Sequence, residues 1–502
     1  MIKNILEYLE HTAQTAPQNG VTDEGGFCSY AELLDRSRKV GSGLLPHTSL
    51  NQPVPVLMEK GIDALTTFFG IVQAGCCYTL LNPELPDSRL GQVLSVLEPP
   101  CILTDLSHRA RAEALFPGGA VLLLEDLLGT AADSPALERI RSQMIDTDPL
   151  YINFTSGSTG VPKGVVIGHR SVLDFIDIFT EQFHITAEDV IANQAPFDFD
   201  VSVKDIYSAV KTGADLVVVP RALFSQPVKL LDFLCDHRPT TMIWAVSALC
   251  LITTFHGLDY RVPETVKKVL FSGEVMPMKH LNAWMDHLPE AEFVNLYGPT
   301  EITCNCTYHI IERGRDYADG IPIGTAFPNE RVFLLDEQNN PVREPGVPGE
   351  LCVSGTALGL GYYAAPDQTG EKFPQNPLNS RYFDRIYRTG DLACWNDRGE
   401  LRFLGRKDFQ IKYKGHRIEL EEIEKAMVET PGVERACCVF DEEKGRLYGF
   451  YIGGPDKKEL HQTLSASLPV FMVPGRLVQV ESMPLTKNGK TDRAALMKGR
   501  KP

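Results

Sequence analysis

A stretch rich in glycine and hydroxyl residues, FTSGSTGVPKG, occupies residues 154–164 and has the composition of a phosphate-binding loop. Backbone N–H groups at its glycines can surround an anion, its hydroxyls add donors, and Lys163 adds a positive charge. The phosphate loop of nucleotide hydrolases ends in Gly-Lys-Ser/Thr, whereas here Pro162 precedes the lysine and Gly164 follows it. Apolar flanks predict a loop between two buried strands; a glycine-rich surface hairpin is the alternative. The candidate phosphate-binding residues are Thr155, Ser156, Gly157, Ser158, Thr159 and Lys163.

The rest of the chain alternates short apolar runs with amphipathic stretches, which predicts an α/β fold with parallel, buried sheets. The apolar runs lie at 214–220, 240–246, 267–273 and 291–298, and the amphipathic stretches at 227–237 and 276–288. From about 321 to 404, Gly and Pro turns separate short strands and indicate a β-rich subdomain. We therefore expect a large N-terminal domain over 1–404 and a small α+β domain over 405–502, the latter with a helix near 419–428.

Composition excludes several classes of protein. The formal charge of −16 argues against a nucleic-acid-binding surface, which needs a basic face. Residues 405–502 carry a net charge of +4 and the rest −20. This asymmetry indicates an acidic partner for the C-terminal part; a solvated charge pattern without function is the alternative. The 12 cysteines lack metal-type spacing and fit a reducing cytosol. The uncharged run at 65–81 predicts a buried helix leading into a strand, and no membrane insertion is expected.

Ordered motifs along nearly the whole chain resemble those of the adenylate-forming superfamily, which includes acyl-CoA synthetases, luciferases and amino-acid adenylation domains. Within it the chain is most similar to D-alanine–carrier protein ligases and nonribosomal amino-acid adenylation domains. The narrower likeness lies in FDVSVKDIYSAVKTG and KDFQIKYKGHRIELEEIE. Besides the loop at 154–164, the motifs are SYAEL (29–33), QAGCCYTLLNP (73–83), FDVS (199–202), NLYGPTE (295–301), GELCVSG (349–355), YRTGDL (387–392), GRKDFQIK (405–412) and NGKTDR (488–493).

The resemblance implies an enzyme with two half-reactions. A carboxylate attacks the α-phosphate of ATP to give an acyl-adenylate, and a thiol then takes the acyl group as a thioester. Lys490 matches the mobile catalytic lysine that would bridge the substrate carboxylate and the α-phosphate, since the first step needs charge neutralisation more than proton transfer. Glu301 would hold Mg²⁺ and Thr300 would touch the α-phosphate.

The remaining nucleotide contacts follow from the same resemblance. Tyr297 would stack on adenine, whose edge Asn295 and the backbone of Gly273 and Glu274 would read. Asp391 would accept both ribose hydroxyls, because a carboxylate offers two acceptor oxygens. Read without the family, these residues are turn and cap residues. The full set implied for the nucleotide, beyond the phosphate loop, is Gly273, Glu274, Asn295, Tyr297, Gly298, Asp391 and Arg406.

The identity of the acid depends on Asp200, which the resemblance pairs with a substrate α-ammonium. An amino acid is thereby favoured over a fatty or aryl acid, whose lack of an ammonium would leave this carboxylate without its partner. Trp244 fills volume and suggests a small side chain. If Lys204 points inward, a substrate with an acidic or polar side chain is preferred. If Lys204 extends to solvent, alanine or serine is the expected substrate. The sequence does not distinguish D- from L-amino acids. The implied pocket, completed by Lys490, is Asp200, Val201, Lys204, Trp244, Leu270, Ser272, Leu296, Cys304 and Asn305.

The second half-reaction implies a moving C-terminal domain. Asp408 matches the hinge, and rotation about it would bring Gly415 to the site, where it leaves room for a thiol arm. No carrier segment follows DRAALMKGRKP, so we expect a separate, acidic carrier protein with a phosphopantetheine arm, or CoA, as acceptor. Two alternatives are an acyl-CoA-type synthetase of the same superfamily and a non-catalytic adenylate-binding protein, which would be expected to lack Lys490, Asp391 or Glu301.

Overall fold

The computed structural model describes residues 2–157, 161–413, 415–441, 444–484 and 491–499. The chain forms two units. The first comprises Met1–Asn82, Leu97–Asn153 and Val165–Lys407, and the second comprises Pro83–Val96, Phe154–Gly164 and Asp408–Pro502. The domain limits and the hinge expected from the sequence stay predictions.

Twenty-six strands, numbered in chain order, lie within the described ranges. They are β1 Gly20–Asp23, β2 Gly26–Ser29, β3 Pro53–Leu57, β4 Cys77–Leu81, β5 Cys101–Thr104, β6 Ala120–Leu123, β7 Pro149–Thr155, β8 Lys163–Gly168, β9 Val190–Asn193, β10 Asp215–Val218, β11 Thr241–Ala245, β12 Lys268–Ser272, β13 Glu292–Tyr297, β14 Thr307–Ile310, β15 Thr325–Ala326, β16 Glu330–Leu335, β17 Pro341–Val342, β18 Gly349–Gly355, β19 Gly361–Tyr362, β20 Tyr387–Trp395, β21 Leu401–Arg406, β22 Gln410–Tyr413, β23 His416–Glu419, β24 Val433–Asp441, β25 Arg446–Gly453 and β26 Arg476–Gln479.

The same ranges contain 17 α-helices and three 3₁₀ turns. The helices are α1 Leu6–Thr15, α2 Tyr30–Leu44, α3 Ile62–Gln73, α4 Asp87–Leu97, α5 Arg109–Leu115, α6 Leu124–Leu128, α7 Ser134–Gln143, α8 His169–Gln182, α9 Val201–Thr212, α10 Pro227–His237, α11 Val246–Thr254, α12 Gly257–Tyr260, α13 Met278–His287, α14 Pro366–Lys372, α15 Leu420–Val428, α16 Lys457–Ser467 and α17 Arg493–Gly499. The 3₁₀ turns are Arg221–Ser225, Thr300–Ile302 and Val470–Met472.

A nine-stranded sheet carries most of the predicted substrate-binding residues. Its strand order is β15-β14-β13-β12-β11-β9-β10-β1-β2, and the six strands from β13 to β1 are parallel. The four apolar runs at 214–298 form β10 to β13, and the two amphipathic stretches form α10 and α13, as predicted. In a parallel sheet the carboxyl ends of neighbouring strands meet at one edge, which is where ligands of α/β folds bind. The fold is therefore the expected mixed α/β architecture.

A seven-stranded sheet, in the order β19-β8-β7-β4-β3-β5-β6, carries the glycine-rich loop. The loop connects β7 to β8, which are neighbours in this sheet, so the prediction that it joins two strands is confirmed. The uncharged run at 65–81 forms the buried helix α3 and the buried strand β4, as predicted. Among the described residues, no helix is both long and apolar enough to cross a membrane.

The β-rich region forms a third sheet in the order β17-β16-β18-β20-β21, with antiparallel pairing throughout. In it β20 and β21 pair so that Asp391 lies opposite Arg406. In the second unit, α15 packs with the three-stranded sheet β24-β25-β26 around a core that includes Ile423, Met427 and Tyr451. The predicted helix of this region is confirmed as α15.

Candidate active site

The predicted side-chain pocket lies at the carboxyl ends of three parallel strands. Trp244 is the penultimate residue of β11, Ser272 is the last residue of β12, and Leu296 is the penultimate residue of β13. The register places Ser272 opposite Leu296, and all three side chains are buried. The Trp244 indole donates a hydrogen bond from Nε1 to the Ala192 carbonyl at 2.8 Å, which holds the ring in place. The sheet therefore gathers pocket residues that are far apart in sequence.

Lys204 points inward. It lies on α9, is fully buried, and donates from Nζ to Asn305 Oδ1 at 2.7 Å and to Ser272 Oγ at 3.5 Å. Of the two orientations that the sequence left open, the structure has the inward one, so this lysine does not extend its ammonium to solvent. A buried cation among pocket residues is costly without polar partners, and Ser272 and Asn305 are two such partners.

Asp200 and Cys304 form a second contact on the pocket wall. Asp200 directly precedes α9, and its side chain accepts no capping hydrogen bond from the first turn of the helix. The Cys304 thiol lies 3.0 Å from the Asp200 carbonyl oxygen. Burial raises the pKa of this thiol well above its usual range; the Asp200 carboxylate raises it further, and the Lys204 charge opposes the shift. Both charges thus act on the same buried thiol.

The backbone that presents Cys304 and Asn305 is unusual. Thr303 and Cys304 both have positive φ, at 50° and 73°, a conformation that is rare for residues with a side chain. Gly298 makes room for this turn, because a Cβ there would lie 2.5 Å from the Asn305 Cα. The segment after β13 therefore folds back tightly on itself and sets Asn305 against Lys204.

The predicted ribose-binding carboxylate is held from two sides. Asp391 Oδ2 accepts a hydrogen bond from the Tyr297 hydroxyl, and Asp391 Oδ1 lies 2.5 Å from Arg406 Nη1. Asp391 is 5% exposed and Tyr297 7% exposed, so the cluster is largely screened from water. Burial raises the pKa of Tyr297 well above its usual range, and the Asp391 charge adds to the shift. A cation and a hydroxyl therefore hold this side chain in one orientation.

The structure brings Tyr297 and Asp391 together through a hydrogen bond from the tyrosine hydroxyl. The predicted stacking of the Tyr297 ring on adenine is a different contact. The Tyr297 ring centroid lies 6.4 Å from that of Phe403. Asn295 donates from Nδ2 to the Pro322 carbonyl at 2.8 Å. Gly273 follows β12 with a φ of 99°, and a Cβ added there would meet no atom within 4 Å, so open space lies beside its backbone. These geometries leave the predicted roles of Tyr297, Asn295 and Gly273 in adenine binding as predictions.

Glu301, the predicted magnesium ligand, is buried and positioned by a residue that the motifs did not indicate. Its Oε1 accepts a hydrogen bond from the Tyr362 hydroxyl at 2.7 Å. Its carbonyl accepts from the Gly359 N–H at 2.8 Å. Thr300 begins the 3₁₀ turn that contains Glu301. Among the described residues, no group of three or more His, Cys, Asp or Glu side chains could hold a metal ion.

Within the second unit, the described part of the glycine-rich loop contacts the chain after Asp408. Gly157 donates its N–H to Glu422 Oε2 at 3.2 Å, and Ser156 donates from Oγ to the Arg417 carbonyl at 2.9 Å. Glu422 also forms a buried ion pair with Arg89, at 2.6 Å. Burial raises the pKa of Glu422, while Arg89 and the Gly157 N–H oppose the shift. An N–H of the predicted phosphate loop therefore already binds a carboxyl oxygen, which is consistent with its chemistry.

Several predicted residues lie elsewhere or outside the described ranges. Gly415 has a φ of 80° in the turn between β22 and β23, a conformation that favours glycine. Lys163 begins β8, and its charge lowers the pKa of Glu419 against the raising effect of burial. The predicted residues Ser158, Thr159 and Lys490 lie outside the described residues.

Other polar residues near the pocket carry no motif signal. Lys60 donates from Nζ to Asn193 Oδ1 at 3.1 Å, and Asn193 donates from Nδ2 to Asp205 Oδ2 at 2.6 Å. Burial raises the pKa of Asp205 to about 8, although Asn193 and the charges of Lys204 and Lys60 oppose the shift. Polar residues in otherwise apolar stretches were the only sequence signal for this network.

Two family models match this chain. The model described as AMP-binding enzyme matches residues 9–363, and that described as AMP-binding enzyme C-terminal domain matches residues 422–490. The chain therefore belongs to the family of AMP-binding enzymes, the adenylate-forming superfamily that its motifs resemble.

Among curated proteins, the relatives of this chain include peptide antibiotic synthases. The chain is 34% identical, over 98% of its length, to tyrocidine synthase 3 of Brevibacillus parabrevis, and 32% identical, over 98% of its length, to bacitracin synthase 1 of Bacillus licheniformis. Both relatives are far longer than this chain, which spans 8% of the first and 9% of the second.

Solved structures that are similar to this chain include proteins with adenylation domains. IdnL1 is 30% identical with a TM-score of 0.80, covering 96% of this chain and 98% of that one. Holo-PA1221, described as a nonribosomal peptide synthetase protein containing adenylation and PCP domains and bound to a vinylsulfonamide inhibitor, is 25% identical with a TM-score of 0.85, covering 99% and 84%. The adenylation domain AlmE of Vibrio cholerae, solved with glycyl-adenosine-5′-phosphate, is 23% identical with a TM-score of 0.85, covering 99% and 98%, and supports the fold alone. The chain is thus an adenylate-forming enzyme of the adenylation-domain type.

Proposed function

We propose that this protein activates a small or polar amino acid with ATP, forming an aminoacyl-AMP, and then transfers the aminoacyl group to the phosphopantetheine thiol of a carrier protein. The observation that carries the proposal is at the end of β13. There Leu296 lies in register with Ser272 of the pocket, and the next residue, Tyr297, holds Asp391. One strand therefore brings together a residue proposed for the amino-acid pocket and the tyrosine that binds the carboxylate proposed for the ribose, which supports a role in adenylation.

In the first step, a carboxylate oxygen of the amino acid forms a bond to the α-phosphorus, and the bond from that phosphorus to the bridging oxygen breaks as pyrophosphate leaves. We assign the α-ammonium to Asp200 and the ribose hydroxyls to Asp391. Both substrates are anionic where they react, so positive charge must be supplied, and Lys490 is the proposed source. In the second step the thiol sulfur bonds to the acyl carbon, AMP leaves, and the thiol proton passes to solvent.

Glu301 fits a hard cation, because it is a buried carboxylate that accepts a hydrogen bond from Tyr362 in the 3₁₀ turn after β13. Bound there, Mg²⁺ would neutralise phosphate charge. Glu301 is the residue that would hold the Mg²⁺ ion, and phosphate oxygens of the bound nucleotide would be its other ligands. Gly157 and Ser156 are proposed to bind the β- and γ-phosphates, a role supported by the carboxyl group that the Gly157 N–H already meets in Glu422.

A carrier protein as acceptor is supported by the adenylation and PCP domains of PA1221. The net charge of +4 over residues 405–502 suits an acidic partner. Gly415, with its positive φ, is proposed to line the path of the thiol arm, and Asp408 to act as the hinge between the half-reactions.

The test is ATP–pyrophosphate exchange with a panel of D- and L-amino acids. We expect one small or polar amino acid to drive exchange, and Lys490→Ala to abolish exchange while ATP binding persists. Lys487→Ala, a lysine three residues away, is the matched control and should keep activity. Exchange driven only by fatty or aryl acids, or by no acid at all, would contradict the proposal.

A further inference from the structure

The predicted phosphate loop is bound to residues of its own unit. Gly157 donates its N–H to Glu422 Oε2 at 3.2 Å, and Ser156 donates from Oγ to the Arg417 carbonyl at 2.9 Å. Ser156 is 5% exposed and Glu422 is 3% exposed, so both contacts are largely screened from water. Two of the donors that the proposed function assigns to the β- and γ-phosphates are therefore in use within the chain.

Glu422 lies in the first turn of α15, and each of its carboxylate oxygens has its own donor. Oε1 accepts from Arg89 Nη1 at 2.6 Å, and Oε2 accepts from the Gly157 N–H. Burial raises the pKa of Glu422, while Arg89 and the Gly157 N–H oppose the shift because they favour the ionised form. Loss of the Gly157 contact would therefore leave the buried carboxylate with its cation.

The backbone at Gly157 can bind one anion closely. A Cβ at this position would lie 2.1 Å from the Val161 carbonyl oxygen, so the loop leaves no room there for a side chain. A backbone N–H has a single hydrogen, and the Glu422 oxygen occupies the place that a phosphate oxygen would take on it. Two anionic oxygens at one hydrogen would also repel each other. Phosphate and Glu422 therefore exclude each other at Gly157.

We propose that Glu422 is an internal competitor of the nucleotide phosphates: its carboxylate binds the glycine-rich loop when no phosphate is bound, and it must leave Gly157 before the β- or γ-phosphate can bind there. A protein of which only a fraction is competent to bind has its apparent affinity reduced by that fraction. Glu422 thus lowers the affinity for ATP and for pyrophosphate, and its return to Gly157 after adenylate formation opposes the rebinding of pyrophosphate. The inference rests on the proposed function, because it concerns the regulation of the same phosphate site.

The experiment measures, by isothermal titration calorimetry, how tightly the full chain binds ATP and pyrophosphate with Mg²⁺, and AMP, with no amino acid present. Glu422→Gln keeps the shape of the side chain and removes its charge. It should bind ATP and pyrophosphate about 10-fold more tightly than the parent, because an amide oxygen is a weaker acceptor than a carboxylate. AMP lacks the two outer phosphates, so its affinity should change by less than about twofold. Unchanged or weaker ATP binding, or AMP binding tightened as much as ATP binding, would overturn the inference.

Glu421→Gln is the matched control, because it removes one negative charge from the same first turn of α15. It should bind all three ligands as the parent does. If Glu421→Gln tightens ATP binding as much as Glu422→Gln does, the effect comes from net charge and the inference is overturned.

A second variant carries the test if Glu422→Gln does not fold, since that change leaves the buried Arg89 without its counter-ion. Arg89→Met combined with Glu422→Gln removes both charges of the pair, and circular dichroism shows whether it folds. The folded double variant should also bind ATP about 10-fold more tightly than the parent, with AMP binding unchanged. ATP binding equal to that of the parent would overturn the inference.

Failure of the inference and failure of the proposed function give different results. In ATP–pyrophosphate exchange with an amino acid that the parent activates, the pyrophosphate concentration for half-maximal exchange should fall about 10-fold in Glu422→Gln. If the parent catalyses exchange but neither this concentration nor the ATP affinity changes in the variant, the competition is wrong while adenylation stands. If no amino acid drives exchange in the parent, the proposed function fails, and the three ligand affinities still decide whether Glu422 competes with phosphate.

Discussion

The ribose-binding role of Asp391 can be tested by an isosteric change, Asp391→Asn. The carboxylate is held by the Tyr297 hydroxyl and by Arg406, whose side chain is 15% exposed against 7% for that of Asp391. The amide keeps one acceptor for Tyr297 but loses the charge that faces Arg406 and one of the acceptors that two ribose hydroxyls require.

The expected magnitudes follow from these contacts. A hydrogen bond to a charged group contributes about 1.5–3 kcal/mol, which corresponds to an increase of roughly 10- to 150-fold in the dissociation constant of ATP. Stability should also fall, by about 3 kcal/mol, because a largely buried guanidinium loses its counter-ion.

A double-mutant cycle, in which the second change is made in the nucleotide instead of the protein, separates lost ribose binding from lost protein stability. Parent and variant are compared in exchange kinetics with ATP and with 2′-deoxy-ATP. In the parent, loss of the hydroxyl should weaken binding about 10-fold, whereas in Asp391→Asn the two nucleotides should differ by less than about threefold. Asp397→Asn, at an exposed position of the β20–β21 turn, is the matched control. If 2′-deoxy-ATP binds more weakly than ATP by the same factor in parent and variant, the contact between Asp391 and the ribose is refuted.

Three further perturbations test other contacts. Burial raises the pKa of Glu330 from 4.5 to about 8, so the stability that this side chain contributes is present below pH 4.5 and is lost as the pH rises through 8. Glu330→Gln cannot ionise, so its stability should fall less with rising pH and should exceed that of the parent at pH 9 by about 2–4 kcal/mol. Thermal unfolding across the pH range measures this difference. Parallel curves would contradict it. Arg89→Met should lower the free energy of unfolding by about 3–5 kcal/mol because it leaves the buried Glu422 carboxylate without its cation, and adding Glu422→Gln should recover most of the loss. A loss below about 1 kcal/mol, or no recovery in the double variant, would argue against the ion pair. Tyr362→Phe removes the donor to Glu301 and should raise the Mg²⁺ concentration for half-maximal exchange about 10-fold; an unchanged Mg²⁺ titration would remove this tyrosine from the site.

The sequence predicted most of the fold near the site because local patterns determine it. Apolar runs followed by turn residues mark β10 to β13, and the amphipathic stretches mark α10 and α13. The position of the glycine-rich loop between β7 and β8 followed from its apolar flanks. Each of these predictions depends on residues that are close in sequence.

Contacts between distant residues could not be predicted in the same way. The inward direction of Lys204 goes with its contact to Ser272 on β12 and with the positive φ values of Thr303 and Cys304, which bring Asn305 to its ammonium. The buried pair of Arg89 and Glu422 joins residues 333 positions apart. Charged residues are rarely buried, and their sequence context does not indicate a partner at such a distance.

The central claim, that the amino-acid carboxylate attacks the α-phosphate, is tested most directly by isotope transfer. The protein is incubated with ATP and with an amino acid whose carboxylate carries ¹⁸O, and the AMP released is analysed by mass spectrometry. We expect one ¹⁸O atom per AMP, because the bridging oxygen of the adenylate comes from the carboxylate and stays on phosphorus when the acyl group leaves. Unlabelled AMP, or label recovered in inorganic phosphate alongside ADP, would contradict it.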